Sequence, residues 1–193
     1  MRSRIAVLTA LMMLGLSGCT GPINGAFVEA LLEGTEESQA PLTQTYEIPY
    51  YNMSFTLPKD WEERDSTPYD LQCYNGSAYF SVFAFLDIDL GENSEPYDYY
   101  VAQREDLFSK RDNVAQVEEA VYKSYEDKVV MTELWSAERD GLKNYYYCCL
   151  VDFLPDDQGF AWVIFTGVPS YVSREKDTFD EILASAKYTS ISY

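Results

Sequence analysis

The sequence predicts an α+β fold, with one domain in which an antiparallel β-sheet carries helices on its faces. Three observations lead to this fold class. Much of the chain after residue 46 alternates in side-chain character with the period of strands. Short turn signals such as Asn-Gly and Asp-Gly separate consecutive strands, which favours antiparallel hairpins. Helical periodicity is convincing in only two segments of this region, and they do not alternate regularly with strands.

The composition supports one globular domain and excludes several classes of function. The chain has 193 residues, of which 47% are apolar and 24% charged, so it can bury a core. Its 32 acidic and 14 basic residues give a formal charge of −18, and no basic cluster offers the phosphate contacts that nucleic acids require. The chain has no histidine, which excludes Ser-His-Asp and Cys-His mechanisms and histidine-ligated metals. We therefore expect no nucleic-acid partner and no enzymatic activity.

The N-terminal residues resemble a bacterial lipoprotein signal peptide. A basic start is followed by Ile5–Leu16, an uncharged and mostly apolar run that is too short to span a bilayer. The motif Leu16-Ser17-Gly18-Cys19 then resembles a lipobox, whose cysteine becomes the acylated first residue after cleavage. The resemblance implies a signal peptide over residues 1–18, lipidation at Cys19 and a protein anchored in the cell membrane, outside the cytoplasm.

The segment that follows Cys19 is expected to be a tether over residues 19–45. Within it, only "AFVEALLEG" has a helical pattern, which predicts a short helix over residues 26–33. An isolated helix of this length is marginal in water, so it is either frayed or docked on the domain. The domain itself is expected to occupy residues 46–193.

The first elements of the domain are predicted to be strands. Apolar residues alternate through "MSFTL" before Pro58, which predicts a strand that ends in a turn. Asn75-Gly76 predicts a hairpin. Both faces of its second arm, residues 78–86, are largely apolar, so this strand is expected to be central and covered on both sides.

Two segments are predicted to be helices. Residues 93–113 begin with Asn93 or Ser94 as a cap and end with basic residues in the last turn. Residues 172–188 form the second helix. The apolar stripes at the 3.6-residue period are Tyr97, Tyr100, Val101, Arg104 (through its stem), Leu107 and Phe108 in the first helix, and Phe179, Ile182, Leu183 and Ala186 in the second.

Four further strands are predicted over residues 114–122, 128–139, 142–154 and 160–167. If Asp140-Gly141 is a two-residue turn, Arg139 faces Leu142. The same register then places Glu133 opposite Cys148.

The cysteines Cys148 and Cys149 are adjacent on one predicted strand, so their side chains point to opposite faces. They therefore cannot ligate one metal ion together or form an ordinary disulfide with each other. Cys73 lies on another predicted strand and offers a bridge to either of them, which would leave one thiol free. The alternative is that all three are buried free thiols, a common fate of small apolar cysteines.

Two stretches together resemble the PsbP/Mog1-like domains. "MSFTLPKDW", Met53–Trp61, resembles their opening strand, in which Leu-Pro and then Trp follow an apolar run. Phe165–Tyr188 resembles their ending of a last strand, a polar turn and a closing helix. The resemblance covers residues 46–190 and implies an antiparallel sheet of about six or seven strands between helical layers. Members include photosystem accessory proteins, a nuclear-transport accessory protein and bacterial lipoproteins, and the matching residues imply no catalytic or cofactor-binding site.

An acidic loop is the candidate metal site. Asp87, Asp89, Glu92 and Asn93 would supply the oxygen ligands that Ca²⁺ prefers. The loop departs from the EF-hand pattern because its glycine comes one position early and Asp98 stands where glutamate is expected. The alternative is a solvated loop before a helix, whose N-terminus favours acids.

Two other groups of residues are candidates for function. Asp156 and Asp157 are a pair of acids of the kind that glycosidases use, although neighbouring acids at a hairpin tip more often solvate a turn. The tyrosine clusters at residues 49–52, 97–100 and 144–148 offer anchors for a recognition surface, and structural packing is the favoured alternative.

The leading interpretation is a lipid-anchored extracytoplasmic binding or accessory module that acts through protein interaction in the cell envelope, without a cofactor. The first alternative is an envelope hydrolase that uses carboxylates and tyrosines, and the second is a solute- or cation-binding lipoprotein. A deep pocket that gathers carboxylates would favour the hydrolase.

Overall fold

The computed structural model describes residues 42–65, 68–90, 95–154 and 159–189. The predicted signal peptide over 1–18, the lipidation site Cys19 and the helix predicted over 26–33 lie outside these residues.

The described residues form ten strands, three α-helices and two short 3₁₀ turns, Pro49–Tyr51 and Asp87–Asp89. The strands are β1 Thr43–Ile48, β2 Met53–Pro58, β3 Glu62–Glu63, β4 Leu71–Tyr74, β5 Ala78–Phe85, β6 Asp112–Ser124, β7 Lys128–Arg139, β8 Leu142–Phe153, β9 Phe160–Gly167 and β10 Lys187–Tyr188. The helices are α1 Pro96–Ser109, α2 Pro169–Arg174 and α3 Lys176–Ser185.

Seven strands form the main sheet, in the order β3-β4-β5-β9-β8-β7-β6, with every neighbouring pair antiparallel. The predicted fold class is therefore confirmed, and β5 is central as expected. The expected cover on both faces of β5 is incomplete, because Tyr79 is 44% exposed. Asp140 and Gly141 form the β7–β8 turn with φ of 54° and 75°. Arg139 faces Leu142 and Glu133 faces Cys148, so the predicted register is also confirmed.

A second sheet of three strands, in the order β1-β2-β10, was not expected from the sequence. Its strand β1 begins at Thr43, inside the segment predicted as tether over residues 19–45. The predicted boundary at residue 45 is therefore three residues too late, because Thr43–Thr45 pair with Thr56–Pro58 of β2. The strand β10 occupies the end of the segment predicted as the last helix, because it pairs with Met53 and Ser54.

One face of the main sheet packs against α2, α3 and the small sheet. Trp61 lies at the centre of this core, with its ring edge-on to Phe80, Phe165 and Phe179 at centroid distances of 6.3–6.4 Å. Phe165 of β9 stacks on Phe179 of α3 at 4.1 Å. The segment predicted as one helix over residues 172–188 is in fact two helices, and Glu175 separates them.

The opposite face of the main sheet packs against α1. Tyr100 and Phe108 of this helix are buried, and Phe108 lies 5.3 Å from the Trp135 ring and 5.4 Å from the Tyr146 ring. The helix ends at Ser109, so the basic residues predicted in its last turn lie just beyond it. This shorter helix covers only part of the sheet face.

The three cysteines of the described residues are buried free thiols. Cys148 belongs to the core on the α1 side, whereas Cys149 and Cys73 belong to the core on the other side. The predicted opposite orientation of the adjacent cysteines is therefore confirmed, and the bridge from Cys73 is absent. Burial raises the pKa of the Cys73 thiol to about 12 and also raises the pKa values of Cys148 and Cys149.

Candidate functional site

A cavity of about 490 Å³ opens on the α1 side of the main sheet, beyond the end of the helix. Its volume falls in the range of small-molecule sites, ~300–1,000 Å³. The floor consists of residues from β4, β5, β9 and β8 whose side chains α1 does not cover. We refer to this cavity as the sheet-face cleft.

A row of side chains from four neighbouring strands crosses the floor of the sheet-face cleft. Tyr74 pairs with Tyr79, Tyr79 with Thr166, and Thr166 with Tyr146 in the strand register. Directly paired residues share one face of a sheet, so these four side chains lie side by side. The rings of Tyr74 and Tyr79 stack at 4.5 Å, and Tyr79 remains 44% exposed.

Hydroxyl and amide groups surround this aromatic row. Ser81 and Gln72 form the adjacent cross-strand pair, and the Gln72 amide donates to the Ser81 hydroxyl at 2.8 Å. Ser77 from the β4–β5 turn and Asn144 from β8 complete the polar wall. The turn itself is held in place because the Asn75 amide donates to the Tyr171 hydroxyl of α2 at 2.5 Å.

Two guanidinium groups border the sheet-face cleft. Arg111 follows the end of α1, and its Nε donates to the Tyr146 hydroxyl at 3.2 Å while Nη1 donates to the Lys110 carbonyl. Within the described ranges, Arg111 has no ion pair with a carboxylate. Arg139 ends β7 and lies 3.7 Å from the exposed Asp140 carboxylate. A chain with formal charge −18 thus places two cations at the border of this cavity.

A smaller cavity of about 200 Å³ adjoins the sheet-face cleft and shares Tyr69, Leu107, Arg111 and Ile164 with it. Trp162, which is only 2% exposed, lines this smaller cavity. Its indole N–H has no hydrogen-bond partner within the described part of the chain. A buried donor without an acceptor is costly, so this N–H is a polar group that the described fold leaves unsatisfied beneath the cavity.

The sheet-face cleft presents hydrogen-bond donors and aromatic surface to a ligand. Its lining presents guanidinium, hydroxyl and amide groups, and none of the described residues that line it is a carboxylate. Glycoside hydrolysis of the two-carboxylate kind requires a pair of acids on either side of the reacting bond. The described wall of this cleft supplies donors for a ligand instead.

The predicted metal ligands are only partly described. Asp87 and Asp89 lie in a 3₁₀ turn, and the Asp89 carboxylate accepts from the Leu86 backbone N–H at 3.3 Å. Glu92 and Asn93 lie outside the described residues. Inside the described ranges, no three His, Cys, Asp or Glu side chains are grouped so that they would hold a metal ion. The calcium site stays a prediction, and the acid pair at residues 156–157 also lies outside the described residues.

The predicted tyrosine clusters contribute mainly to packing. Tyr100, Tyr146 and Tyr147 are buried, while Tyr50 is 79% exposed. Of these residues, only Tyr146 lines the sheet-face cleft. The other cleft tyrosines, at positions 69, 74 and 79, lie outside the clusters.

The sequence interpretation missed both arginines of the sheet-face cleft. Arg111 was predicted only as a last-turn residue of a helix and Arg139 only as the end of a strand. The available signal was the polar and aromatic side chains at positions 72, 74, 79 and 81, which the Asn75-Gly76 hairpin places on one face. These positions contrast with the expectation that both faces of β5 are covered, but they do not indicate which distant residues border the open face.

Comparison with solved structures shows the fold. The chain is similar to the cyanobacterial PsbP protein of Synechocystis, with 13% identity, a TM-score of 0.55 and coverage of 91% of this chain and 99% of that one. It is similar to LpqN of Mycobacterium tuberculosis, a protein involved in cell envelope biogenesis, with 10% identity, a TM-score of 0.55 and coverage of 79% and 88%. The Ran-binding protein Mog1p of Saccharomyces cerevisiae has 8% identity, a TM-score of 0.51 and coverage of 77% and 96%.

These similarities establish a PsbP/Mog1-like α+β fold, as the resemblance in the sequence implied. At such low identities they show the fold alone. The chain matches no protein-family profile and no curated protein sequence. No helix of the described residues has the length and apolar character to cross a membrane.

Proposed function

We propose that this protein is a lipid-anchored, extracytoplasmic binding module that uses the sheet-face cleft to recognise a component of the cell envelope. The lipid on Cys19 would hold the domain at the membrane, and the cleft would present its binding groups outside the cytoplasm. In this proposal the protein is an accessory factor and not an enzyme.

The observation that carries the proposal is the composition of the sheet-face cleft. Arg111 and Arg139, an aromatic row and several hydroxyl groups converge on one cavity that has no described carboxylate in its wall. Convergent polar groups on an aromatic floor are typical of a recognition site. The hydrolase alternative needs paired carboxylates, and this arrangement does not favour it.

The structural neighbours support an accessory role in the envelope. LpqN is involved in cell envelope biogenesis in its own organism and has the same fold. Mog1p, which also has this fold, is a Ran-binding protein. A shared fold does not transfer a ligand, so the ligand has to be argued from the cleft itself.

A direct experiment tests the anchor. The full-length protein is expressed in a bacterium, and the mature N-terminus is analysed by intact mass and by detergent phase partition. We expect a diacylglycerol-modified chain that begins at Cys19 and enters the detergent phase. The Cys19→Ala variant should enter the aqueous phase, whereas the neighbouring Thr20→Ala control should remain lipidated. An unmodified wild-type N-terminus would show that the anchoring proposal is wrong.

A second candidate role is contact with an envelope protein through the edge strand β6. Apolar side chains of this strand are exposed, among them Val117, Val121 and Tyr122. Exposed edges of this kind pair readily with other chains. A photo-crosslinking residue at Val121 should capture one defined envelope protein in cells, while the same residue at the exposed Lys59 should not. Equal labelling from both positions would contradict this role.

A further inference from the structure

We propose that the ligand of the sheet-face cleft is a small polyhydroxylated anion, a sugar acid or a sugar phosphate. This inference rests on the proposed function of the cleft as a recognition site and names the chemical class that the site would take.

The charge of the ligand follows from Arg111. A guanidinium has five N–H donors, and the bonds to Tyr146 and Lys110 use two of them. Since the described residues provide no carboxylate partner for Arg111, its charge is available to an incoming anion. Arginine binds carboxylate and phosphate groups through two parallel hydrogen bonds, which makes it well suited to either ion. Arg139 supplies a second positive charge at the border of the same cavity.

The floor of the cleft indicates that the uncharged part of the ligand is a sugar ring. The exposed ring of Tyr79, stacked on Tyr74, offers a flat surface for the C–H face of a sugar ring. Ser77, Thr166 and Asn144 offer hydroxyl and amide groups around that surface, and these pair with ligand hydroxyls. An apolar anion would leave these polar groups unpaired, which opposes its binding.

The adjoining cavity gives the ligand further space beside Arg111. Trp162 and Arg111 both line it, and the indole N–H has no acceptor among the described residues. Because this N–H is itself buried, its signal reports whether a ligand enters the adjoining cavity.

The size of the ligand follows from the charge of the whole protein. With a formal charge of −18, the molecule repels polyanions over a distance comparable to the screening length, ~8 Å at physiological ionic strength. A small anion with one or two charges experiences much less of this repulsion and still reaches the two guanidinium groups. The site therefore favours a monomeric acid or phosphate over an acidic polymer or an anionic membrane.

The test is an NMR titration of the full-length, ¹⁵N-labelled protein in neutral detergent micelles. The signals to follow are the arginine Nε–H groups and the three tryptophan indole N–H groups. The ligands are glucuronate, glucose 6-phosphate, neutral glucose, inorganic phosphate and a polygalacturonate oligomer. We expect glucuronate or glucose 6-phosphate to bind most tightly and to shift the signals of Arg111 and Trp162, and the relative affinities of these two ligands identify the anionic group.

Matched variants test how much Arg111 and the Tyr79 ring each contribute to binding. Arg111→Gln should weaken binding of the tighter ligand about ten- to hundredfold, as expected for the loss of charged hydrogen bonds. Arg174→Gln removes the same charge from α2, where the side chain is 66% exposed and outside the cleft, and should leave the affinity unchanged. Tyr79→Ala should weaken binding of the sugar ligands and spare inorganic phosphate.

The outcomes separate this inference from the proposed function. If glucose binds as tightly as the charged sugars and Tyr79→Ala abolishes its binding, the cleft is a recognition site but the anion inference is wrong. If inorganic phosphate or the polymer binds as tightly as the sugar anions, the sugar or the size inference is wrong. If none of the ligands shifts a cleft signal, the anion inference fails, while lipid anchoring at Cys19 is still decided by the partition experiment.

Discussion

The buried acid Glu133 holds α1 onto the main sheet. Its carboxylate is 4% exposed and accepts from the Tyr100 hydroxyl, from Arg104 at 2.7 Å and from Gln116 at 3.1 Å. The Arg104 guanidinium also lies over the Trp135 ring at 5.0 Å. A buried charge of this kind is tolerated because each partner is satisfied, and removing one partner leaves the others unpaired.

Truncation of Glu133 should therefore destabilise the fold strongly. We expect Glu133→Ala to lower the free energy of unfolding by about 3–5 kcal/mol, because it leaves Arg104 partly buried without its carboxylate. Urea denaturation measures this change. The control is Glu119→Ala, an exposed acid on β6, which should change stability by less than about 0.5 kcal/mol. Similar losses in both variants would contradict the role of Glu133.

Two buried tyrosines should make stability depend on pH in the alkaline range. Burial raises the pKa of both Tyr100 and Tyr147 far above the usual value. Their contribution to stability is complete below the unfolded pKa of about 10, and it is lost as the pH rises above that value because only the unfolded chain releases the protons. Each group should therefore lower the free energy of unfolding by about 1.4 kcal/mol per pH unit in this window.

The variant Tyr147→Phe tests this dependence. Urea unfolding between pH 9 and 11.5 should give a slope against pH that is shallower than in the wild type by the contribution of one tyrosine. Tyr50→Phe, at an exposed position, is the control for the loss of a tyrosine hydroxyl. The slope is the informative quantity, because loss of the hydrogen bond from Tyr147 to Asp180 shifts stability at every pH. An unchanged slope in Tyr147→Phe would argue against a raised pKa.

At the level of elements, the pairing of β5 with β9 depends on a close backbone approach at Gly159. A Cβ atom at this position would lie 2.4 Å from the Phe85 carbonyl oxygen, and the backbone φ is +153°. The Phe85 and Phe160 rings stack at 5.0 Å beside this contact. A larger residue therefore forces apart the ends of two central strands.

Gly159→Ala should lower the free energy of unfolding by about 1–3 kcal/mol, as expected for overpacking in a close-packed region. The control is Gly76→Ala, where φ is also positive but no atom lies within 4 Å of the added Cβ. That variant should cost only the backbone strain, so its loss should be the smaller one. Thermal or urea unfolding distinguishes the two, and equal losses would rule out the steric explanation.

The elements show how much of the fold is predictable from the sequence. The bounds of β7 and β9 agree with the predicted ranges 128–139 and 160–167, because turn residues mark both ends of each segment. The first residues of β1, Thr43–Thr45, were missed because they are exposed and continue no apolar alternation. The strand β10 was missed because its two residues are a strand only through tertiary pairing with β2, which no local pattern encodes.

The sheet-face cleft is less predictable than the fold for the same reason. Its floor follows from local alternation, since Tyr74 and Tyr79 are outward-facing partners in one hairpin. Its cations come from the end of α1 and the end of β7, and only the tertiary structure brings Arg111 and Arg139 to one cavity. The length of α1 decides which part of the sheet face stays open, and helix ends are the least certain feature of a sequence pattern.

For the whole molecule, the excess of acidic residues should weaken the folded state at low ionic strength. A formal charge of −18 produces self-repulsion that is relieved when the chain expands. We expect the urea midpoint to rise between about 0.01 M and 0.2 M NaCl, as screening shortens from ~30 Å to less than 10 Å. An equal osmolality of glycerol is the control for a non-ionic effect. A midpoint that falls with salt would mean that attractive ion pairs dominate.

The strand β8 has a consequence for how the molecule opens. Its adjacent residues Cys148 and Cys149 contribute to two different cores on opposite sides of one backbone. Separating either core exposes one side of the same strand, so the two cores should lose their structure in a single cooperative step. Amide hydrogens at the centre of β8 should therefore exchange with deuterated solvent only through global opening and as slowly as any in the domain.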